Sequence, residues 1–245
     1  MKIVATIEAR MTSSRLPGKA LLPAAGMPML EHLVRRLWAL PSIDAIVLAT
    51  TVNVADAPLV ELAQRLGIAT FRGDEDDVMQ RVIDAAASVN ADVVVEITGD
   101  CPIIDPEIVE QTIRMFKAHQ ADYVSNALVR SYPDGMDTQV FRLETLKRSA
   151  AITKDPLDRE HVTLHIRNHP ELFTHVHLVA PSEIHWPELG LTLDERSDYE
   201  LLKQIIEHFD ANSNPLFSCL DAVRFLRQFP KYAEINKDVV RKGNT

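Results

Sequence analysis

The amino-acid sequence predicts an α/β fold on a mixed, mostly parallel sheet flanked by helices, and two observations carry that expectation. Short β-branched runs alternate with amphipathic stretches over the first two-thirds of the chain, the pattern left when crossover helices join parallel strands. Two of the runs, residues 47–49 and 93–95, are continuously apolar, as interior strands covered on both faces require.

The first strand is expected over residues 2–7, followed by a polar loop and a helix over 29–40 with apolar residues at three- and four-residue spacing. A second strand over 45–50 leads to a helix over 58–66, a third over 69–72 to a helix over 78–88, and a fourth over 93–98 to a helix over 107–119. Right-handed crossovers follow by default, and ligands then bind beyond the carboxyl ends of the strands. After about Tyr123 the pattern weakens. A turn-rich stretch at 131–135 precedes a strand over 138–141, a helix over 157–168 and a strand over 175–179. Residues 191–193 run into Asp194, and Ser197 stands at capping-box spacing from Glu200, which predicts a helix N-terminus there. Helices over 216–228 and 234–241 complete the reading.

The composition limits the function. Of 245 residues, 26 are basic and 35 acidic, a formal charge of −9, and 46% are apolar. A chain of this kind folds around a substantial core, and its acidity argues against general nucleic-acid binding. No run approaches the roughly 18 apolar residues of a membrane span. The start lacks a basic leader and a cleavage site, so the cytoplasm is the expected location and no membrane the expected partner. Two cysteines, Cys101 and Cys219, are too few for a disulfide framework or a structural zinc site.

Three segments at expected strand ends carry chemistry. The loop after the first strand packs Arg10, Arg15 and Lys19 with Thr12, Ser13 and Ser14 into eleven residues, enough charge and enough hydroxyl donors to cradle a triphosphate. Gly18 stands alone in that loop, so neither a dinucleotide fingerprint nor a Walker loop is supported. Asp100, between Gly99 and Pro102, is placed either to ligate magnesium or simply to end a strand. Asp194 reads as a second metal carboxylate, or as a helix-start acid favoured by the macrodipole. Asp74 to Asp77 and Arg81 fit helix capping as well as base or sugar recognition. His161, His165 and His169 repeat every four residues, for which packing is the simpler reading than zinc.

In order along the chain, Arg10 with Arg15-Leu16-Pro17-Gly18-Lys19, Gly99-Asp100 with Pro102, and Leu193-Asp194 with Asp198 resemble the sugar-acid cytidylyltransferases. That family makes CMP-activated 3-deoxy-octulosonate and sialic acids. The spore-coat-polysaccharide branch is the nearer likeness, through residues 71–78, Ser125-Asn126, Tyr132-Pro133-Asp134-Gly135 with Asp137, and residues 158–163. The likeness spans roughly residues 1–210. The chain departs from it at Cys101, where octulosonate enzymes carry an acid, and at Gln139, where the branch commonly has Glu.

The resemblance implies a nucleotidyltransferase fold related to the A-type glycosyltransferases. It implies one domain over 1–245, with an arm near 127–185 inserted for acceptor binding and dimerisation. It further implies a CTP-dependent transferase that converts a sugar acid or related glycan precursor into its CMP derivative with Mg2+. Arg10, Arg15, Lys19 and Asp100 would be catalytic, and Asp100 and Asp194 would hold the metal. Ser14, Arg72, Asp74, Asn126, Asp134, Asp137, Arg159 and His161 would bind substrates. The expected partners are CTP, a sugar-type acceptor and a second copy of the chain. Two alternatives stay open: a glycosyltransferase consuming a nucleotide sugar, which should show Asp-x-Asp at the metal strand, and a non-catalytic nucleotide-binding module.

Overall fold

The computed structural model describes residues 1–240. β1 (Ile3–Glu8) is followed by a small antiparallel ribbon, β2 (Pro23–Ala24) and β3 (Met27–Pro28), and by α1 (Met29–Trp38). Then come β4 (Ala45–Thr51), α2 (Ala57–Leu66), β5 (Ala69–Gly73), α3 (Val78–Ser88), β6 (Val93–Thr98) and α4 (Pro106–Ala118). The second half holds β7 (Tyr123–Ser125), β8 (Gln139–Arg142), α5 (Leu143–Ile152), α6 (Pro156–Glu160), α7 (Leu164–Asn168), β9 (His175–His177), α8 (Arg196–Ala211), α9 (Cys219–Gln228) and α10 (Pro230–Ala233).

Seven strands form one sheet in the order β5-β4-β1-β6-β8-β7-β9. β5, β4, β1 and β6 are parallel, β8 runs antiparallel to both its neighbours, and β9 is parallel to β7. The interior position expected for residues 47–49 and 93–95 is therefore found in β4 and β6, both buried along their apolar runs. One face of the sheet packs on Leu30 and Leu33 of α1, Leu59 of α2, Ile108 of α4, Leu201 of α8 and Ala222 of α9. The other packs on Met79 and Val82 of α3, Leu146 of α5 and Ile166 of α7. Residues 127–185 supply β8 and β9 to this same sheet and three helices beside it.

Helix starts follow local chemistry. Asp77 accepts the Gln80 amide at the head of α3, and Asp105 accepts the Glu107 amide ahead of Pro106 at the head of α4. The second Asp105 oxygen accepts the Cys219 amide at 2.7 Å, which docks the head of α9 on that of α4.

Three sequence expectations are corrected. The helix predicted over 157–168 breaks into α6 and α7 at Val162, which has φ of +43°. That conformation is costly for a β-branched residue, and burial of Val162 in the core beside α3 and α5 holds it there. The cap of α8 is Glu195, with Ser197 inside the helix, because Asp198 closes the box from the third position. The helix predicted over 234–241 gives way to turns at 234–238, since the buried Asn236 amide donates to Gly190 O and Asp198 Oδ1 from a non-helical position. Residue 241 lies outside the described residues. β7 and the β2–β3 ribbon, at two to three residues each, were too short to show a period.

Candidate active site

The loop after β1 is folded back on itself and pinned from below. Gly18 has φ of +71°, a conformation open to glycine, and its amide donates to Met11 O at 3.0 Å. The Met11 amide donates to Asp56 Oδ1 at 2.7 Å. Asp56, fully buried before α2, also accepts Thr50 Oγ1 at 3.0 Å, the Thr51 amide at 3.1 Å and Thr51 Oγ1 at 2.5 Å. Burial works against its ionisation, but the Thr51 and Met11 hydrogen bonds outweigh it and hold the carboxyl below its ordinary value. One carboxylate thus fixes the turn on the β4 end.

The cations of the turn point two ways. Arg10 NH1 lies 3.0 Å from Glu75 Oε1, which also accepts Thr12 Oγ1 at 2.7 Å, while Asn53 Nδ2 reaches Glu75 Oε2 at 2.6 Å. Arg15 NH2 lies 2.9 Å from Asp194 Oδ1. Lys19 Nζ sits 3.1 Å from Asp100 Oδ2 and 3.0 Å from Asp194 Oδ1, so the two aspartates converge on one ammonium.

Backbone geometry creates that meeting. Gly99 follows β6, and its amide donates to Glu8 O at 2.9 Å; a Cβ there would lie 2.5 Å from the same oxygen. Asp100 O accepts the Leu193 amide at 2.8 Å, which brings Asp194 alongside, and Asp198 Oδ2 accepts the Asp194 and Glu195 amides. For Asp100, burial alone would favour the proton, but the charge of Lys19 with hydrogen bonds from Thr98 and Lys19 holds the carboxyl below its ordinary value. Lys19 is correspondingly raised: the two aspartates outweigh its burial. A point that holds an ammonium against two carboxylates suits a divalent cation completed by phosphate and water oxygens, the donor set magnesium prefers. Among the described residues no group of three or more His, Cys, Asp or Glu side chains could hold a metal without such added ligands.

These groups border a cleft of about 940 Å³. Of the residues expected from sequence, Arg10, Ser14, Arg15, Lys19, Asp100, Asn126, Asp134, Asp137 and His161 line it, and Asp194 joins through Lys19 and Arg15. Asn126 lines it with an amide already engaged, donating to Met136 O and accepting the Thr138 amide, so its structural part is to close the 126–138 loop. Arg72, Asp74 and Arg159 stand outside the lining. Arg72 donates to Thr51 O and Asn53 O, Asp74 caps the amides of Asp76 and Asp77, and Arg159 pairs with Asp77 at 2.5 Å to seat α6 on α3.

Sequence reasoning missed Glu8, Glu96, Thr163 and Arg167, which also line the cleft. A glutamate inside an otherwise apolar strand was the available signal, since it needs a partner or a function. Glu96, 4% exposed, donates nothing and accepts from Gln139 Nε2; Gln139 Oε1 accepts Tyr123 OH at 2.5 Å and Thr163 Oγ1 at 2.6 Å. Burial pushes Glu96 up to about 7 and, with Asp134 nearby, Asp137 up to about 7. Glu8 is raised by burial and by the charge of Glu96.

A family model described as Cytidylyltransferase matches residues 4–222. An uncharacterized protein of Methanocaldococcus jannaschii, MJ1063, is 34% identical over 243 residues, covering 99% of this chain and 98% of its own. The spore coat polysaccharide biosynthesis protein SpsF of Bacillus subtilis is 32% identical over 236 residues, covering 94% and 96%. A 3-deoxy-manno-octulosonate cytidylyltransferase of Pelobacter propionicus is 34% identical over 117 residues, 46% of this chain and 44% of that protein. Among solved structures, a cytidylyltransferase of Leptospira borgpetersenii superposes with a TM-score of 0.90 at 32% identity, covering 98% of this chain and 99% of that one.

Proposed function

This chain belongs to the cytidylyltransferase family, and from that premise we propose that it transfers CMP from CTP to a hydroxyl of a sugar acid or related glycan precursor, releasing pyrophosphate. The observation that supports this most is the convergence of Asp100 and Asp194 on Lys19, with Arg15 bound to the same Asp194 oxygen. A basic turn that grips phosphates and an acidic pair that holds a cation are here one continuous surface.

The acceptor oxygen attacks the α-phosphorus, a new P–O bond forms, and the bond to the bridging oxygen breaks with its electron pair leaving on pyrophosphate. The acceptor proton passes to solvent. Such transfer depends on placement and charge neutralisation more than on a covalent intermediate. Arg15 and Lys19 stabilise charge growing on the leaving pyrophosphate, and Arg10, beside the same turn, holds the nucleotide phosphates. Ser14 donates a hydrogen bond to phosphate oxygen from the cleft wall. When bound, Mg2+ held by Asp100 and Asp194 supplies positive charge at the phosphates and acidifies the acceptor hydroxyl. Asp134, Asp137 and His161, which line the cleft, contact the acceptor. A second copy pairs through residues 127–185, and the reaction runs in the cytoplasm. Among the described residues no helix is long and apolar enough to cross a membrane.

The test is pyrophosphate release with Mg2+, each of the four nucleoside triphosphates and a panel of sugar acids. Release with CTP that depends on the acceptor is expected. Binding of CTP without release under every condition would replace the enzyme with a binding module.

A further inference from the structure

On the reading of the cleft just given, we propose that the part of it lined by Glu8, Glu96 and Asp137 receives a protonated amine of the acceptor, so that the preferred substrate is an amino sugar acid over its all-hydroxyl counterpart. The three carboxyls come from the end of β1, the middle of β6 and the loop ahead of β8. The β1–β6 register pairs Thr6 with Glu96 and Glu8 with Thr98, which puts Glu8 and Glu96 on one sheet face as diagonal neighbours in adjacent strands.

Among the described residues none of these acids forms an ion pair; cations act on them only through space. Neither Glu8 oxygen is reached by solvent or by a hydrogen-bond donor, and the Thr6 hydroxyl on the same strand face is equally unpartnered. Glu96 has only the Gln139 amide. Asp137, half-buried, has no hydrogen bond or ion pair among the described residues. The nearby guanidiniums are turned to other partners or unbonded. Arg81 on α3 donates to the carbonyls of Ala49, Asp74 and Glu75 and acts on Glu8 through space, and Arg167 on α7 acts on Glu96 and Asp137 through space, its buried Nε unbonded. Arg130 acts likewise on Asp137, while Asp100 and Asp134 add negative charge. The remaining cations of the cleft, Arg10, Arg15 and Lys19, belong to the phosphate end.

Loss of solvent raises all three carboxyls above their ordinary values, against the through-space charges of Arg81, Arg167 and Arg130. An ammonium reverses this. It brings three donors and a compensating charge, whereas a hydroxyl brings one donor and none. Glu8 meets it by rotating its side chain toward the cleft that it lines.

The experiment is calorimetric titration of the full-length protein, saturated with CTP in EDTA at pH 7, with 3-deoxy-manno-octulosonate and with its 8-amino-3,8-dideoxy analogue. The amino sugar is expected to bind at least about tenfold tighter and to release protons, seen as a buffer-dependent heat. Glu8→Gln and Glu96→Gln should each bring the two affinities within about threefold and reduce the proton release, with CTP affinity measured on the same samples to report on folding. Equal affinities, tighter binding of the hydroxyl sugar, or binding of neither by protein that binds CTP would overturn the proposal. Failure to bind CTP would overturn instead the reading of the site on which it rests.

Discussion

Lys19 closes onto Asp100 across 81 residues of sequence, with Nζ 3.1 Å from Oδ2, and the ammonium of one holds the carboxyl of the other ionised. Asp194 joins the same nitrogen from 175 residues away. Asp100→Asn keeps the backbone bond from Leu193 that joins the two segments, because Asp100 contributes its carbonyl and not its side chain to that bond. Turnover is expected to fall by at least about a hundredfold, with the unfolding midpoint little changed. Pyrophosphate release measured beside thermal unfolding checks both, and retained release would remove Asp100 from the metal assignment.

Asp56 anchors the basic turn without facing the cleft. Asp56→Ala strips partners from the Met11 and Thr51 amides and from the Thr50 and Thr51 hydroxyls. A loss of about 2–5 kcal/mol in stability is expected, with a raised KM for CTP as Arg10 and Arg15 lose their platform. Urea denaturation and initial rates at varied CTP measure the two effects; an unchanged KM would show that the turn holds its shape unaided.

Gly99→Ala places a Cβ 2.5 Å from Glu8 O and 2.9 Å from Ala9 Cβ, both at the end of β1. The tips of β1 and β6 must separate, carrying Asp100 away from Lys19. Misplacement on this scale costs on the order of a hundredfold in rate, and kcat should fall more than stability does. Activity near that of the parent protein would mean that the strand tips yield without moving Asp100.

In the folded chain burial pushes Glu96 up to about 7, and loss of solvent with the charge of Asp134 pushes Asp137 up to about 7. The unfolded carboxyls titrate near about 4. Between those values the folded chain holds more protons, so stability is greatest below the unfolded value and declines as pH rises through the folded one. Glu96→Gln removes one of these groups and keeps an acceptor for Gln139 Nε2. Its melting temperature should gain on that of the parent protein steadily from about pH 4.5 to 7.5. A difference that does not change with pH would show that Glu96 ionises freely.

Much of the architecture was legible in sequence because helix and strand periods are local properties. β1, β4, β5 and β6 and the helices between them lie within a residue or two of where their apolar spacing places them. The polar loop after β1 was readable for the same reason, as three cations and three hydroxyls within eleven residues. Arg72, Asp74 and Arg159 were not separable from true lining residues, since a guanidinium that holds two carbonyls and one that awaits a ligand have the same sequence signature.

By itself, then, the sequence determined the alternation of elements, the basic turn and the presence of acids at strand ends, all consequences of neighbours along the chain. The tertiary structure alone decided that Asp100 and Asp194 share one ammonium, that Val162 interrupts a helix to bring Thr163 to Gln139, and that Glu8 and Glu96 lie diagonally on one sheet face with no ion pair among the described residues. Each of those depends on strand order and register, which set distances between residues that no local period connects.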